Sequence, residues 1–326
     1  MKITGHGRVI SVLLVLVAFA IVLGLVVAAL TIWPWPGRRS SPPPPGTRVV
    51  VASIFPLASL CGEIGGDAVQ VSTLLPAGAS PHTYEMTPSQ ARTLADADLV
   101  FQVGGGLDPF VTRLAGAAAG SARRLEAMAA LPAETLLAQG EQPWLAQGAV
   151  TGAAPGVADP HIWLDPVLVR DYVVPALQEE LGALWPEHAE VFAANAAGLR
   201  DRLTELDGWI REQLAPVREK GLITIHPAWG YFGRRYGIDT WAVEQHAGSE
   251  PSPLWLAELV DIARFRGIQT LFSEPQLSGQ IAGILERELQ VQVLVLDPLG
   301  GKGRPGYGSY TEMMRSNVEI MVEGLR

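Results

Sequence analysis

The chain has few of the residues that build disulfide-linked domains or bind acidic polymers. It contains a single cysteine, Cys61, among 326 residues, which excludes an intrachain disulfide framework and a metal site made of several thiolates. A free cysteine of this kind is typical of a small buried apolar residue. Charged residues make up only 17% of the chain and the net charge is −9, so the surface disfavours nucleic acid as a partner and suits a cation.

Apolar residues are plentiful by contrast. They make up 48% of the chain, enough for a sizeable core, and the length indicates about two domains at roughly 150 residues each. We therefore expect a folded protein of two domains.

The first 35 residues are predicted to be a signal peptide or a membrane anchor. Lys2 and Arg8 precede an apolar stretch from Val9 to about Trp35, which is long enough to span a ~30 Å hydrocarbon layer and longer than the usual signal-peptide core of about 7–15 residues. No cysteine follows this segment closely enough to carry a lipid. Both alternatives place the rest of the chain in the periplasm or at the cell surface, attached to the membrane if the segment is not cleaved. Residues 36–47 are a proline-rich linker.

Two series of strands and helices follow the linker. Short runs rich in Val and Ile are typical of buried parallel strands, and the segments between them have helical patterns. Two such series predict an α/β fold with two lobes, each with a parallel sheet. The predicted strands are residues 48–55, 69–76, 99–104, 222–226, 268–273 and 291–297, and the predicted helices are 91–97, 111–119, 252–266 and 279–289.

One long helix is predicted between the two series. Apolar residues recur at steps of three and four from Phe192 to Leu214, Pro186 suits a first helical turn, and Pro216 ends the pattern. We expect an N-terminal lobe over residues 48–185, a rigid connecting helix over 186–215 and a C-terminal lobe over 216–326. Residues 132–158 have no clear period and are interpreted as a surface loop.

Four side chains at turns are candidate metal ligands. His226 and Asp297 end predicted strands, His82 follows one, and His161 lies in an Asp-Pro-His turn. Ligands bind beyond the carboxyl ends of strands in open α/β sheets, and the prolines beside these residues stiffen the turns. Imidazole nitrogen and carboxylate oxygen suit zinc, whereas manganese prefers more oxygen without being excluded.

Six motifs in order make the chain resemble the zinc/manganese-binding solute-binding proteins of ABC importers. They are Ala-Ser-Pro-His-Thr-Tyr-Glu-Met-Thr-Pro-Ser-Gln (79–90), Asp-Pro-His-Ile-Trp-Leu-Asp-Pro (159–166), His-Pro-Ala-Trp-Gly-Tyr-Phe (226–232), Gly-Ser-Glu-Pro-Ser-Pro (248–253), Phe-Ser-Glu-Pro-Gln (272–276) and Leu-Asp-Pro-Leu-Gly (296–300).

The resemblance implies a metal in the cleft between two lobes. It implies ligation by His82 and His161 from the N-terminal lobe and by His226 and Asp297 from the C-terminal lobe. Glu274 is predicted to orient a ligand histidine or to be a minor ligand, and whether His246 contacts the metal stays open. Zinc members of the family tend to have histidine at the position of His226. The loop at 132–158 has no histidine, which puts the metal-collecting role of such loops in doubt here.

The predicted function is therefore capture of Zn²⁺, with Mn²⁺ as the alternative, for delivery to a membrane permease. The chain is expected to act as a monomer and not as an enzyme, because four protein ligands close a zinc site. The competing hypotheses are a secreted zinc hydrolase with Glu274 as general base, and an adhesin or sensor with the same fold. The sequence contains neither a His-Glu-x-x-His motif nor a nucleophile elbow, which argues against the hydrolase.

Overall fold

The computed structural model describes residues 46–118, 122–138, 158–244, 251–277, 282–283, 285–287 and 290–326. The predicted signal or anchor, nearly all of the linker, most of the 132–158 loop and His246 lie outside these residues. Within the described ranges, no helix is long and apolar enough to cross a membrane. Of the helix predicted at 279–289, residues 282–283 and 285–287 are described and are helical.

The first lobe is built on a parallel sheet of four strands. Their order is β2-β1-β3-β4, and every neighbouring pair is parallel. The central strands β1 and β3 are fully buried and apolar except for Gln102, as expected of strands covered on both faces. The strands are β1 (Val49–Ala52), β2 (Gln70–Thr73), β3 (Leu99–Gln102) and β4 (Arg123–Glu126), and the helices are α1 (Phe55–Gly65), α2 (Pro88–Ala95) and α3 (Pro109–Ala118).

The second lobe repeats this architecture. Its strands have the order β6-β5-β7-β8 and are again all parallel. They are β5 (Leu222–Thr224), β6 (Thr240–Ala242), β7 (Thr270–Ser273) and β8 (Gln292–Val295). The prediction of two lobes with parallel sheets is therefore confirmed.

A long helix lies between the two sheets in the chain. A helical turn (Pro166–Leu168), a π-helical segment (Val169–Val173) and α4 (Val174–Leu184) lead through a 3-10 turn (Pro186–His188) into α5 (Ala189–Leu214). Helix α5 has 26 residues and is about 39 Å long at 1.5 Å per residue. All seven apolar residues of the predicted stripe are buried, so the periodicity identified both the helix and its buried face.

The C-terminal helix joins the core of the first lobe. After α6 (Gly230–Tyr236) and α7 (Pro253–Arg266), the chain ends in α8 (Tyr310–Leu325), which packs against α5 and α1. The main core accordingly runs from β1 and β3 through α5 to α8, and a smaller core lies between α7 and the second sheet. Cys61 is buried in the main core, and burial raises the pKa of its thiol to about 12, so it serves packing.

Candidate metal centre

Three histidines distant in sequence form one cluster. His82 lies in the loop after β2, His161 just before a 3-10 turn (Ile162–Leu164), and His226 two residues after β5. Their ring centroids are 4.9–5.5 Å apart, and one ring nitrogen of each lies within 4.8 Å of the others. The structure thus brings together three of the four predicted ligands.

The loop that carries His82 is fixed by the start of helix α2. Thr87 and Gln90 form a capping box there, in which each side chain satisfies a backbone N–H of the first turn. The Gln90 side chain also donates to the carbonyl of Leu74, 2.5 Å away, and accepts from the Tyr84 hydroxyl at 2.7 Å. These bonds close the loop against the sheet and hold His82 at the strand ends.

His161 is oriented by the acidic residue two positions before it. Its Nδ1 lies 2.7 Å from Oδ1 of Asp159, which also accepts from the His161 backbone N–H at 2.9 Å. Such a bond fixes the tautomer and leaves Nε2 with a lone pair for a metal. The indole of Trp163 packs beside the ring, with centroids 5.3 Å apart.

His226 has a similar partner in the second lobe. Its Nδ1 lies 3.4 Å from Oε1 of Glu274, and the role of Glu274 in orienting a ligand histidine stays a prediction. Burial opposes a charge on the imidazole, but the carboxyl groups of Glu274, Glu244 and Asp159 outweigh it and raise the pKa of His226 above the usual 6.5. The same acidic groups that favour a proton on His226 would also favour a metal cation there.

The free nitrogens in this cluster suit a metal. Nε2 of His82 and Nε2 of His226 are buried, and no hydrogen-bond partner for either lies among the described residues. A buried polar atom without a partner is costly. Burial, together with the other two histidines, lowers the pKa of His82 to about 2, so this ring is neutral and able to coordinate. Zn–N bonds of about 2.0–2.1 Å place ligand nitrogens ~3.4 Å apart in a tetrahedron, so a modest contraction of the cluster completes the geometry.

Asp297 lies outside the histidine cluster. It is buried and follows β8, as predicted, but its Oδ1 accepts from Gln276 at 2.8 Å and from the backbone N–H groups of Leu299 and Gly300, each at 3.1 Å. Its Oδ2 forms an ion pair with Arg304. Ligation by Asp297 stays a prediction.

A cavity of about 170 Å³ opens beside the three histidines. Two acidic residues near the histidines, Glu244 and Asp159, were not predicted to belong to the site. Glu244 lines the cavity and is buried, and Asp159 is buried beside His161. The spacing of Asp159 from His161 could have indicated its role. Glu244 follows the short strand β6, which the sequence pattern did not reveal.

Comparison with known proteins gives the family. The family described as "Zinc-uptake complex component A periplasmic" matches residues 50–324. The "High-affinity zinc uptake system protein ZnuA" of Paracoccus denitrificans is 31% identical over 299 residues, which cover 85% of this chain and 91% of that protein. The "Manganese-binding lipoprotein MntA" of Halalkalibacterium halodurans is 28% identical and covers 85% of this chain and 88% of its own length.

Solved structures agree with the sequence relatives. A crystal structure of ZnuA superposes with a TM-score of 0.73 at 28% identity and covers 86% of this chain and 100% of its own. The fold and the histidine cluster together define the class, a two-lobe metal-binding protein. The chain belongs to the periplasmic zinc-uptake component A family, which confirms the resemblance and the predicted function class.

Proposed function

We propose that the chain captures Zn²⁺ outside the cytoplasm through His82, His161 and His226 and delivers it to the permease of an ABC transporter. The observation that supports this most directly is the pair of buried Nε2 atoms on His82 and His226, which have no hydrogen-bond partner in the part of the chain that the structure describes. Three imidazoles with ring nitrogens within 4.8 Å of one another suit zinc better than manganese, which prefers oxygen. Three acidic side chains around them, Asp159, Glu244 and Glu274, favour a cation.

Asp297 is proposed as the fourth ligand, reached when its carboxylate is released from Arg304. It would then bridge the metal to the second lobe and close a site of four protein ligands, the arrangement typical of binding rather than catalysis. Mn²⁺ is the alternative cargo, because the relatives include a protein named as a manganese-binding lipoprotein.

The N-terminal segment is proposed to direct the chain across the membrane and, if retained, to anchor it there. The folded part then works as a monomer that meets the permease at the membrane surface. Mass spectrometry of the mature chain tests this proposal, since loss of residues 1–35 contradicts the anchor.

Metal analysis tests the cargo. The protein is purified without added metal, analysed for bound metal and then titrated with Zn²⁺ and Mn²⁺ in competition. We expect zinc to be bound in one equivalent and to displace manganese at matched concentrations. Manganese displacing zinc would overturn the zinc assignment, and a zinc-dependent hydrolytic activity lost in Glu274→Gln at unchanged zinc affinity would favour the hydrolase.

A further inference from the structure

The ion pair between Arg304 and Asp297 occupies the place where the fourth ligand would act. Asp297 is almost fully buried, with 3% of its side chain exposed, whereas 41% of the Arg304 side chain is exposed. The carboxylate of this pair is therefore buried, whereas its cationic partner extends to the surface.

Only one oxygen of Asp297 is available to any cation. Oδ1 accepts three hydrogen bonds, from Gln276 and from the backbone of Leu299 and Gly300. These donors fix the carboxylate and use the acceptor capacity of Oδ1. A metal must therefore approach Oδ2, which is the oxygen that Arg304 holds.

Arg304 and a metal ion cannot share Oδ2 without a large electrostatic penalty. A guanidinium and a divalent cation at one buried oxygen repel each other in surroundings of low dielectric constant. Ligation by Asp297 consequently requires Arg304 to move away.

The loop around Arg304 is rich in glycine. Gly300, Gly301, Gly303 and Gly306 all have positive φ angles, between 63° and 155°, which are freely available only to glycine. The Arg304 guanidinium lies 4.3 Å from the centroid of the Tyr307 ring, a cation–π contact that gives Arg304 a second partner besides Asp297.

We propose that Arg304 is a built-in competitor of the metal for Asp297, and that it lowers the affinity of the site and speeds release of the ion. The inference rests on the proposed function, because it needs a metal bound by the three histidines. A protein that delivers a metal ion to a permease must also release it, and Arg304 would favour release by pairing with Asp297 again.

Arg304→Gln tests the proposal, with Lys302→Gln as the matched control. Lys302 is an exposed cation on the same loop, so its substitution removes the same charge without touching Asp297. We expect Arg304→Gln to bind Zn²⁺ at least about tenfold more tightly, the factor that a charge-assisted hydrogen bond represents, and to release it more slowly to a chelator in stopped flow. Lys302→Gln should match the wild type. Equal affinity of Arg304→Gln and the wild type would overturn the proposal.

The Asp297→Asn background separates competition from simple charge repulsion. If Arg304 acts through Asp297, its substitution has no effect on zinc affinity once Asp297 is Asn. An equal gain in both backgrounds contradicts the competition. Arg304→Lys, which keeps the charge but loses the planar fork, should fall between the wild type and Arg304→Gln and serves if the glutamine variant is poorly folded. Failure of the proposed function gives a different result from failure of the competition, because the wild type would then bind no zinc at all.

Discussion

At the scale of single residues, two of the histidines have acidic partners that would orient their rings toward a bound metal. Asp159 holds Nδ1 of His161 at 2.7 Å, and Glu274 holds Nδ1 of His226 at 3.4 Å. The shorter bond is expected to contribute more to orientation. Both bonds engage Nδ1 and so leave Nε2 of His161 and His226 as the nitrogen for a metal.

Asp159→Ala is expected to weaken zinc binding by about 10–100-fold, the usual effect of removing a residue that orients a metal ligand. His161 remains, but its ring is free to rotate and to change tautomer. Isothermal titration measures the effect, and Glu85→Gln, an exposed residue near His82 in sequence, is the control with unchanged affinity. Unaltered binding by Asp159→Ala would show that packing against Trp163 alone orients the ring.

Zinc affinity is expected to fall as the pH is lowered, because the metal binds only the neutral imidazole. The pKa of His226 is raised above 6.5 by its acidic neighbours despite burial, so its proton already competes with zinc above pH 6.5. Affinity should then decrease about tenfold per pH unit below that pKa. His82, with a pKa lowered to about 2, adds no proton competition in this range.

Titrations between pH 8 and pH 5.5 measure this dependence. His226→Gln removes the titrating group, so its weaker binding should vary less with pH. An affinity of the wild type that stays constant down to pH 6 contradicts the assignment.

At the scale of elements, the sequence predicts what apolar periodicity encodes. The stripe from Phe192 to Leu214 and the Val- and Ile-rich runs around β1, β3 and β7 were identified because burial on one or both faces leaves a pattern. Strands β4 and β6 were missed, since β4 is an edge strand of sequence Arg-Arg-Leu-Glu and β6 has only three residues.

The site was predictable to the same limited extent. The histidines could be found because the ends of parallel strands meet at one edge of each sheet. The pairing of Asp297 with Arg304 could not, because it depends on how a glycine-rich loop folds back over seven residues, and such a loop has no periodic pattern. Glu244 escaped notice for the related reason that its strand is too short to recognise.

Helix α5 is expected to be the main contributor to stability, and Leu203→Ala tests this. Leu203 is fully buried in the middle of the helix, so its truncation leaves a cavity and should lower the free energy of unfolding by about 2–5 kcal/mol. Urea unfolding measures the change. Glu205→Ala, on the exposed face of the same helix, should stay within about 0.5 kcal/mol of the wild type. A loss below about 1 kcal/mol for Leu203→Ala would mean that the core relaxes around the cavity.

At the scale of the whole molecule, direct contacts already join the two lobes beside the histidines. The Tyr231 hydroxyl donates to the Asp159 carbonyl at 2.8 Å and accepts from the backbone of Leu137 at 3.0 Å. Trp163 donates to the Pro298 carbonyl at 2.7 Å. A metal held by His82 and His161 on one side and His226 on the other adds a further link across the same cleft.

Zinc is therefore expected to stabilise the entire chain against unfolding. A ligand that binds only the folded state adds about 2.7 kcal/mol at a free concentration one hundred times its Kd, and calorimetry should record a single transition at higher temperature. The double variant His82→Ala/His226→Ala, which retains one imidazole of the cluster, should show no such shift.

Tyr231→Phe tests the direct contacts between the lobes. This variant loses the hydrogen bonds of the hydroxyl across the cleft, so the metal-free protein should unfold at a lower temperature, while zinc should still raise the unfolding temperature. If zinc instead splits the transition and raises only its second part, the metal binds within one lobe and the cleft assignment fails.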